Sequence, residues 1–381
     1  MHIPFCLHKC HYCDFNSHER LQPGWDAYRK ALIAELKHWS NTPQFSGRKL
    51  HSIFFGGGTP SLSPPALIGG IIDIARDCCG IENDAEITLE ANPGTADSSN
   101  FRAYRQAGIN RLSIGIQSLN TTELQWLERI HGPDEATQAC RIARDTGFNN
   151  INLDLMYGLP GQNLHDWLTT LHSAIKLSPE HLSCYQLTVE PHTKLAAAHA
   201  KRPYVLPNDE TALSMFFETR KYLSNAGYNA YEISNFASPG LQCRHNDGYW
   251  LYHDYIGIGA GASGKWDIQG EYPAMGMTRY SNLRSPESYI AAVEQQGLAT
   301  NSKDTLNCEQ AAAEACWLGL RRKNGINRKA FEQRFELDIW QHFHTALQPW
   351  HSRKKLASTD TSVYLTEKGL AVADEIAASV L

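Results

Sequence analysis

Apolar and polar positions alternate along this chain in two rhythms. Short runs rich in β-branched and aromatic residues fall at 52–55, 85–90, 111–116, 151–155 and 182–187. Between them lie longer stretches, at 25–39, 65–79, 98–106, 122–130, 134–146 and 164–176, whose apolar residues recur at helical spacing. The first rhythm predicts strands and the second predicts amphipathic helices. Successive strands lie roughly 30 residues apart, the length of a β-α unit, so parallel strands with covering helices are expected. Residues 2–4 read as the end of a first strand. Together these make six units, a barrel similar to but shorter than the eight-unit one. The expected fold class is α/β: a partial (β/α)6 barrel with a C-terminal, mostly helical, winged-helix-like domain.

The second half changes rhythm. Residues 208–226 predict a helix with Phe216, Phe217 and Leu223 on one side, and 228–233 predict a strand. Then come the loop "CRHNDGYW" at 243–250 and the glycine-rich "GIGAGASG" at 257–264. From 285 onward the pattern is helical, with one hairpin near 363–365 and a closing helix. The expected division is 1–190 for the barrel core, 191–284 for an extension carrying both loops, and 285–381 for the C-terminal domain. No low-complexity linker separates them, so the parts are expected to pack together.

Composition narrows the class. Charged residues at 20% and hydrophobic ones at 42% are ordinary for a soluble globular chain. A net charge of -5 argues against broad nucleic-acid binding. No run reaches the length of a membrane span, and the first residues carry no secretory pattern. Ten cysteines, seven of them scattered outside one tight cluster, are not a disulfide framework and fit a reducing cytoplasm.

That cluster is "CLHKCHYCDF", with Cys6, Cys10 and Cys13 at C-x3-C-x2-C spacing. Three readings stay open on spacing alone. Zinc wants four closed ligands, and His8 or His11 could complete a Cys3His site. An iron–sulfur cube held by three cysteines leaves one iron free for a small molecule. A helix face of buried cysteines is the bland alternative, against which Pro4 and the nearby histidines weigh.

The predicted strand ends carry further candidates. Ligands of parallel β-α proteins bind at the C-terminal strand edge. There stand Gly56, Gly57, Gly58 and Thr59 of "GGGTPS", then Glu90, Gln117, Asp154 and, near the sixth strand's end, Thr188. Glu90, Gln117 and Asp154 sit within or beside apolar runs, where an unpaired polar group is costly. A ligand touching several of them needs an amine, a carboxylate, ribose hydroxyls and an adenine. Arg129 reads equally as a cation for that carboxylate and as a surface helix charge.

The C-x3-C-x2-C loop with Tyr12, the "GGGTPS" turn, Glu90, Gln117, Arg129 and Asp154 resemble the radical S-adenosylmethionine superfamily, in the branch of the oxygen-independent coproporphyrinogen III oxidase. The resemblance runs over nearly the whole chain. It implies that Cys6, Cys10 and Cys13 hold a [4Fe-4S] cluster whose open iron chelates S-adenosyl-L-methionine, cleaved by an electron to a 5′-deoxyadenosyl radical. It places Tyr12 near the nucleoside and Gly57, Gly58 and Thr59 near the methionine end. Thr188 and Ala262 or Ser263 match further contacts. The oxidase has an additional cysteine two residues after the third, where this chain has Phe15, and an N-terminal extension not seen here. Both departures match a sister group of heme chaperones, which carries an H-N-x-x-Y-W motif, here His245, Asn246, Tyr249 and Trp250. A neutral imidazole suits heme iron, and flat aromatic faces suit a porphyrin. His245 is thus the expected heme contact, with Cys243 as a rival ligand. A family tyrosine two positions before His2 falls outside this sequence, from which a weaker first strand and poorer S-adenosylmethionine binding are expected.

The implied function is binding heme and passing it to an acceptor hemoprotein of the respiratory chain. Coproporphyrinogen decarboxylation is the alternative, and a radical enzyme acting on RNA ranks below both. Expected partners are heme and that acceptor, with no nucleic acid; a homodimer and a peripheral membrane contact are further expectations.

Overall fold

The computed structural model describes residues 1–268 and 276–381. Six strands stand side by side in chain order: β1 (His2–Ile3), β2 (Leu50–Gly57), β3 (Ile81–Ala91), β4 (Arg111–Gln117), β5 (Ile151–Tyr157) and β6 (His181–Gln186). Each adjacent pair is parallel. Parallel neighbours need crossovers, and α1 (Trp25–Ser40), α2 (Pro65–Cys78), α3 (Ser98–Ala107), α4 (Thr121–Trp126) with α5 (Pro133–Asp145), and α6 (Leu164–Lys176) supply them. This is the expected partial (β/α)6 barrel. After α7 (Asp209–Asn225), two short strands, β7 (Asn229–Ala230) and β8 (Asn235–Ala237), extend the sheet antiparallel at the β6 edge.

The strands alternate strictly. Ile53, Phe55, Ile87, Leu89, Leu112, Ile114, Ile151, Leu153 and Leu182 join one core with Leu32, Ile68, Phe101, Ala139 and Trp167 from the helices. The residues between them face the other way, onto the concave side of the sheet, because side chains along a strand alternate in direction. That inner face is mostly polar, which matters below.

Four local expectations change. Beyond 285, where helices with one hairpin are expected, a strand stands at Thr300–Leu306, paired with Met277–Asn282. The helix expected at 122–130 stops at Trp126. Leu127 and Arg129 donate back to the Glu123 and Leu124 carbonyls, and Glu128 turns at φ 53, which returns Arg129 to the sheet. The strand expected at 228–233 shrinks to Asn229–Ala230, and the chain re-enters the sheet only at Asn235–Ala237, because the buried Glu232 carboxylate accepts from Ser234 N at 3.0 Å and turns the chain. The motif at 244–250 is a short helix, α8 (Arg244–Trp250), not an open loop.

The glycine-rich loop closes the β1 edge. His2 N donates to Ile258 O at 2.8 Å. Gly259 has φ 106, and a Cβ there would stand 2.4 Å from His2 O, so only glycine lets the loop lie this close. A three-stranded meander follows, β9 (Ser263–Asp267), β10 (Met277–Asn282) and β11 (Thr300–Leu306), with α9 (Pro286–Gln296) packing on α1.

The chain ends in a second core built by α10 (Cys308–Gly319), the helix Arg328–Phe335, the helix His344–Ser352 and a small sheet, β12 (Ile326–Asn327), β13 (Leu356–Ser358) and β14 (Ser362–Leu365). Helices around this hairpin give the winged-helix-like arrangement. It is tied to α8 by Arg322, which bonds Asp247 through two nitrogens at 2.7 and 3.1 Å. No helix among the described residues is long and apolar enough to cross a membrane.

Candidate functional site

The cysteine loop is closed at its base by Phe5 and Cys6, which pair in parallel with His18 and Glu19. Cys6 is buried; Cys10 and Cys13 are half-buried. Each sulfur has its own polar neighbour. The Thr59 hydroxyl donates to Cys6 Sγ at 3.4 Å, Arg129 Nη1 to Cys10 Sγ at 3.8 Å, and Ser17 Oγ lies 3.8 Å from Cys13 Sγ. Burial pushes the Cys6 and Cys10 thiols up, and the Thr59 hydroxyl and the Arg129 guanidinium pull against it. Gly58 lets the "GGGTPS" turn press against the loop: a Cβ there would stand 2.7 Å from Phe5 O and 3.0 Å from Cys6 Sγ.

His8 and His11 are engaged by carboxylates. His8 sits between Glu19 and Glu128, at 3.3 and 3.5 Å, and His11 Nδ1 lies 3.6 Å from Glu128. Among the described residues no three of His, Cys, Asp and Glu stand together as ligands of a single metal ion, so a Cys3His zinc site is not formed. Three sulfurs, each addressed by a separate donor, suit a group that offers each its own metal corner. Phe15, 61% exposed, stands at the mouth of the adjoining cleft where a further cysteine would be.

That cleft encloses about 780 Å³ on the concave face of the sheet. Its wall is the polar side of the strand alternation: Glu90 from β3, Arg111 and Ser113 from β4, Asn152 and Asp154 from β5, His181 and Ser183 from β6. Register places Glu90 beside Ser113, Ser113 beside Asn152, and Asp154 beside Ser183. Asn152 ties them together. Its amide donates to Ser113 Oγ at 2.7 Å and Asp154 Oδ1 at 2.8 Å, and its Oδ1 meets His181 Nδ1 at 2.6 Å and Ser183 Oγ at 3.1 Å.

Glu90 accepts from Gly57 N at 3.1 Å. Burial, with the Asp154 charge nearby, pushes the Glu90 carboxyl up to about 7. Burial raises Asp154 as well, against the pull of Asn152 and Ser113. Two acids in one pocket resist double ionisation, so the site favours a cationic guest. Gly57 has φ 119, and a Cβ on it would strike the His2 ring at 2.8 Å.

The motif helix α8 starts on Glu86, whose carboxylate accepts from Arg244 N at 3.0 Å and His245 N at 3.1 Å. The Cys243 thiol donates to the same carboxylate at 3.3 Å, and burial pushes it up to about 12. His245 Nδ1 meets Ser52 Oγ and its Nε2 meets Tyr249 OH, both at 3.0 Å. Its ring stacks on Phe54 with centroids 5.1 Å apart, and burial pushes it down to about 3. Trp250 departs from expectation: it does not line this cleft, and the Arg321 guanidinium lies 5.2 Å over its ring. One residue further round the helix than Tyr249, it faces the C-terminal module.

Residues 1–174 match the Radical SAM superfamily model, and 306–372 match the HemN C-terminal domain. The heme chaperone HemW of Escherichia coli (strain K12) is 44% identical over 291 residues, 76% of this chain and 74% of that protein. HemW of Bacillus subtilis (strain 168) is 32% identical over 378 residues, 99% of this chain and 97% of that one. The chain belongs to the HemW family of radical SAM proteins. A Bos taurus relative, radical S-adenosyl methionine domain-containing protein 1, mitochondrial, is 34% identical and covers all of the chain and 86% of that protein. Among solved structures, the coproporphyrinogen III oxidase HemN of Escherichia coli, a radical SAM enzyme, matches with a TM-score of 0.83 at 25% identity over 100% of this chain and 88% of that one.

Within this HemW-family fold the expected site residues fall into groups. Gly57, Glu90, Asp154, His245, Ala262 and Ser263 line the cleft, as does Cys243. Gly58, Thr59 and Arg129 gather at the sulfurs. Arg129 is no surface charge: its Nη2 donates to Gly115 O at 2.7 Å. Tyr12 packs in the small apolar cluster of Leu127, Met156 and Leu195, beside Arg129. Gln117 ends β4 at φ 63, outside the cleft wall. Thr188 is exposed two residues past β6 and does not line it either. Sequence reasoning passed over Arg111, Ser113, Asn152, His181 and Ser183. Their signal was present: "RLSIGIQ", "INLDLMY" and "HLSCYQ" alternate polar and apolar residues with period two.

Proposed function

We propose that this chain binds heme and hands it to an acceptor hemoprotein, one of the respiratory chain, and that Cys6, Cys10 and Cys13 would hold a [4Fe-4S] cluster that engages S-adenosyl-L-methionine. The observation that carries the reading is the likeness to HemW heme chaperones along nearly the full chain, together with Phe15 in place of a further cysteine beside the sulfurs. When bound, the cluster supplies an open iron for an amine and a carboxylate, and an electron.

The chain's own residues do the rest. Arg129, pinned by the Gly115 carbonyl, offsets negative charge at Cys10. Glu90 and Asp154 provide a negative wall for the ammonium and sulfonium of the nucleoside, and the Gly57–Thr59 turn lets its backbone approach. The α8 face with His245 and Tyr249 forms the seat for the heme, and burial keeps its imidazole neutral.

Transfer tests this. The anaerobically reconstituted chain, loaded with heme, is mixed with an apo-hemoprotein of higher affinity, and the Soret band is followed. Movement of heme faster than its release into buffer supports the reading; heme that never binds contradicts it. The second reading, oxidative decarboxylation of coproporphyrinogen III, draws on the whole-chain match to HemN and a cleft of porphyrinogen size. Its mark is protoporphyrinogen IX formed under reducing, anaerobic conditions.

A further inference from the structure

β4 begins with Arg111 and ends with Gln117. The sulfurs gather beyond the strand ends, so Arg111 stands at the far end of the cleft, roughly 20 Å along the strand from Gln117. Its side chain is only 2% exposed, and it lines the cleft. Among the described residues its guanidinium makes no hydrogen bond, and its Nε lies 4.0 Å from the Glu86 carboxylate, beyond bonding distance. That carboxylate is already taken by three donors at the start of α8: Cys243 Sγ at 3.3 Å, Arg244 N at 3.0 Å and His245 N at 3.1 Å. A desolvated cation with its planar fork of donors unused is costly. The chemistry that matches the fork is a carboxylate accepting two parallel N–H bonds.

The surroundings narrow the guest. The other polar groups at this end are bonded to one another: Tyr231 OH lies 2.9 Å from His181 Nε2 and accepts from Asn246 Nδ2 at 3.4 Å. Glu90 and Asp154 face the same cleft, so a doubly charged anion such as phosphate would meet repulsion where a single carboxylate is balanced by one guanidinium. Phe54 and Tyr249 border the cleft with flat apolar faces. Arg284 also lines it, but is exposed and gives its Nε to Asn16 Oδ1 at 3.4 Å, where water screens its charge. A flat organic body with a carboxylate on an arm meets all of these conditions.

We infer that Arg111 anchors a carboxylate arm of the guest in the cleft, a propionate when that guest is a tetrapyrrole. The inference rests on the reading that heme enters this cleft, and it names the residue that holds one edge of the ring. The carboxylate of the nucleoside is the other source of the same chemistry, and the experiment separates the two.

The test uses the full chain, anaerobically reconstituted, titrated with metal-free protoporphyrin IX and with its dimethyl ester, so that no axial ligand enters the comparison. Wild type should bind the acid at least about tenfold more tightly than the ester. Arg111→Gln should lose that preference by weakening the acid alone, and Arg111→Lys should restore part of it. Retained iron and sulfide and an unchanged circular dichroism spectrum report that the variants are folded. Arg284→Ala should change the acid's affinity by less than about threefold. Equal binding of acid and ester by wild type overturns the anchor whether or not the variants fold. So does a preference that survives in Arg111→Gln. A loss of S-adenosyl-L-methionine affinity in Arg111→Gln with porphyrin binding intact also overturns it, by giving the cation to the nucleoside. A wild-type chain that takes neither porphyrin nor hemin contradicts the heme-binding reading itself.

Discussion

The barrel sheet and the small C-terminal sheet obey the same alternation and put it to opposite uses. In the C-terminal sheet Ile326, Leu356, Val363 and Leu365 turn inward and are buried by helices, while Ser362 and Tyr364 face away from that core. In the barrel the helices take the apolar side, and the polar side also faces inward, onto the cleft. Enclosing polar groups is costly unless they are paired. Asn152 pairs four of them at once, and Glu86 satisfies the first turn of α8. One sheet is thus a packing device. The other keeps an expensive surface where a ligand can use it.

The sharpest way to separate the two is to remove a sulfur. Cys10→Ala should abolish retention of iron and sulfide on anaerobic reconstitution, measured by metal and sulfide analysis, with the unfolding midpoint little changed. The opposite result is expected of Leu347→Ala in the C-terminal core, where the side chain is fully buried. It should cost about 2–5 kcal/mol in denaturant unfolding and leave iron content as in wild type.

Glu90→Gln probes the expensive surface through pH. In the fold this carboxyl is raised from 4.5 to about 7, so the folded state holds the proton more tightly than the unfolded chain. Its contribution is fully present below about pH 4.5 and is lost as pH rises through about 7. Wild type should therefore lose up to about 3 kcal/mol relative to Glu90→Gln between those limits. Unfolding midpoints of both proteins at pH 5 and pH 8 measure the difference; parallel curves would refute the protonated Glu90. The smallest effect belongs to the seam between the two regions. Arg321→Ala removes the cation over Trp250 together with its bond to the exposed Asp374 carboxylate and should cost about 0.5–1 kcal/mol, with heme and iron content unchanged.

Much of this was legible in the residues. Apolar runs about one β-α unit apart predicted six parallel strands in order, and that order is found. Glu90 and Asp154 stood out as acids in apolar strands and do line the cleft. The inner ladder was not read, because attention to strand ends hides a polar residue two positions upstream that shares the same face. Arg129 was ambiguous because its burial depends on one turn at Glu128 that no helical periodicity announces. Trp250 was misassigned because adjacent helical residues point about 100° apart, so a motif read as a unit is split between two faces.

The three sulfurs and the cleft beside α8 are assigned here to heme delivery rather than porphyrinogen chemistry. The anaerobically reconstituted chain, supplied with S-adenosyl-L-methionine and a reductant, should be offered heme and coproporphyrinogen III in parallel. The expected result is a [4Fe-4S] cluster, stable heme uptake and no protoporphyrinogen. Steady conversion of coproporphyrinogen with no heme retained would contradict it.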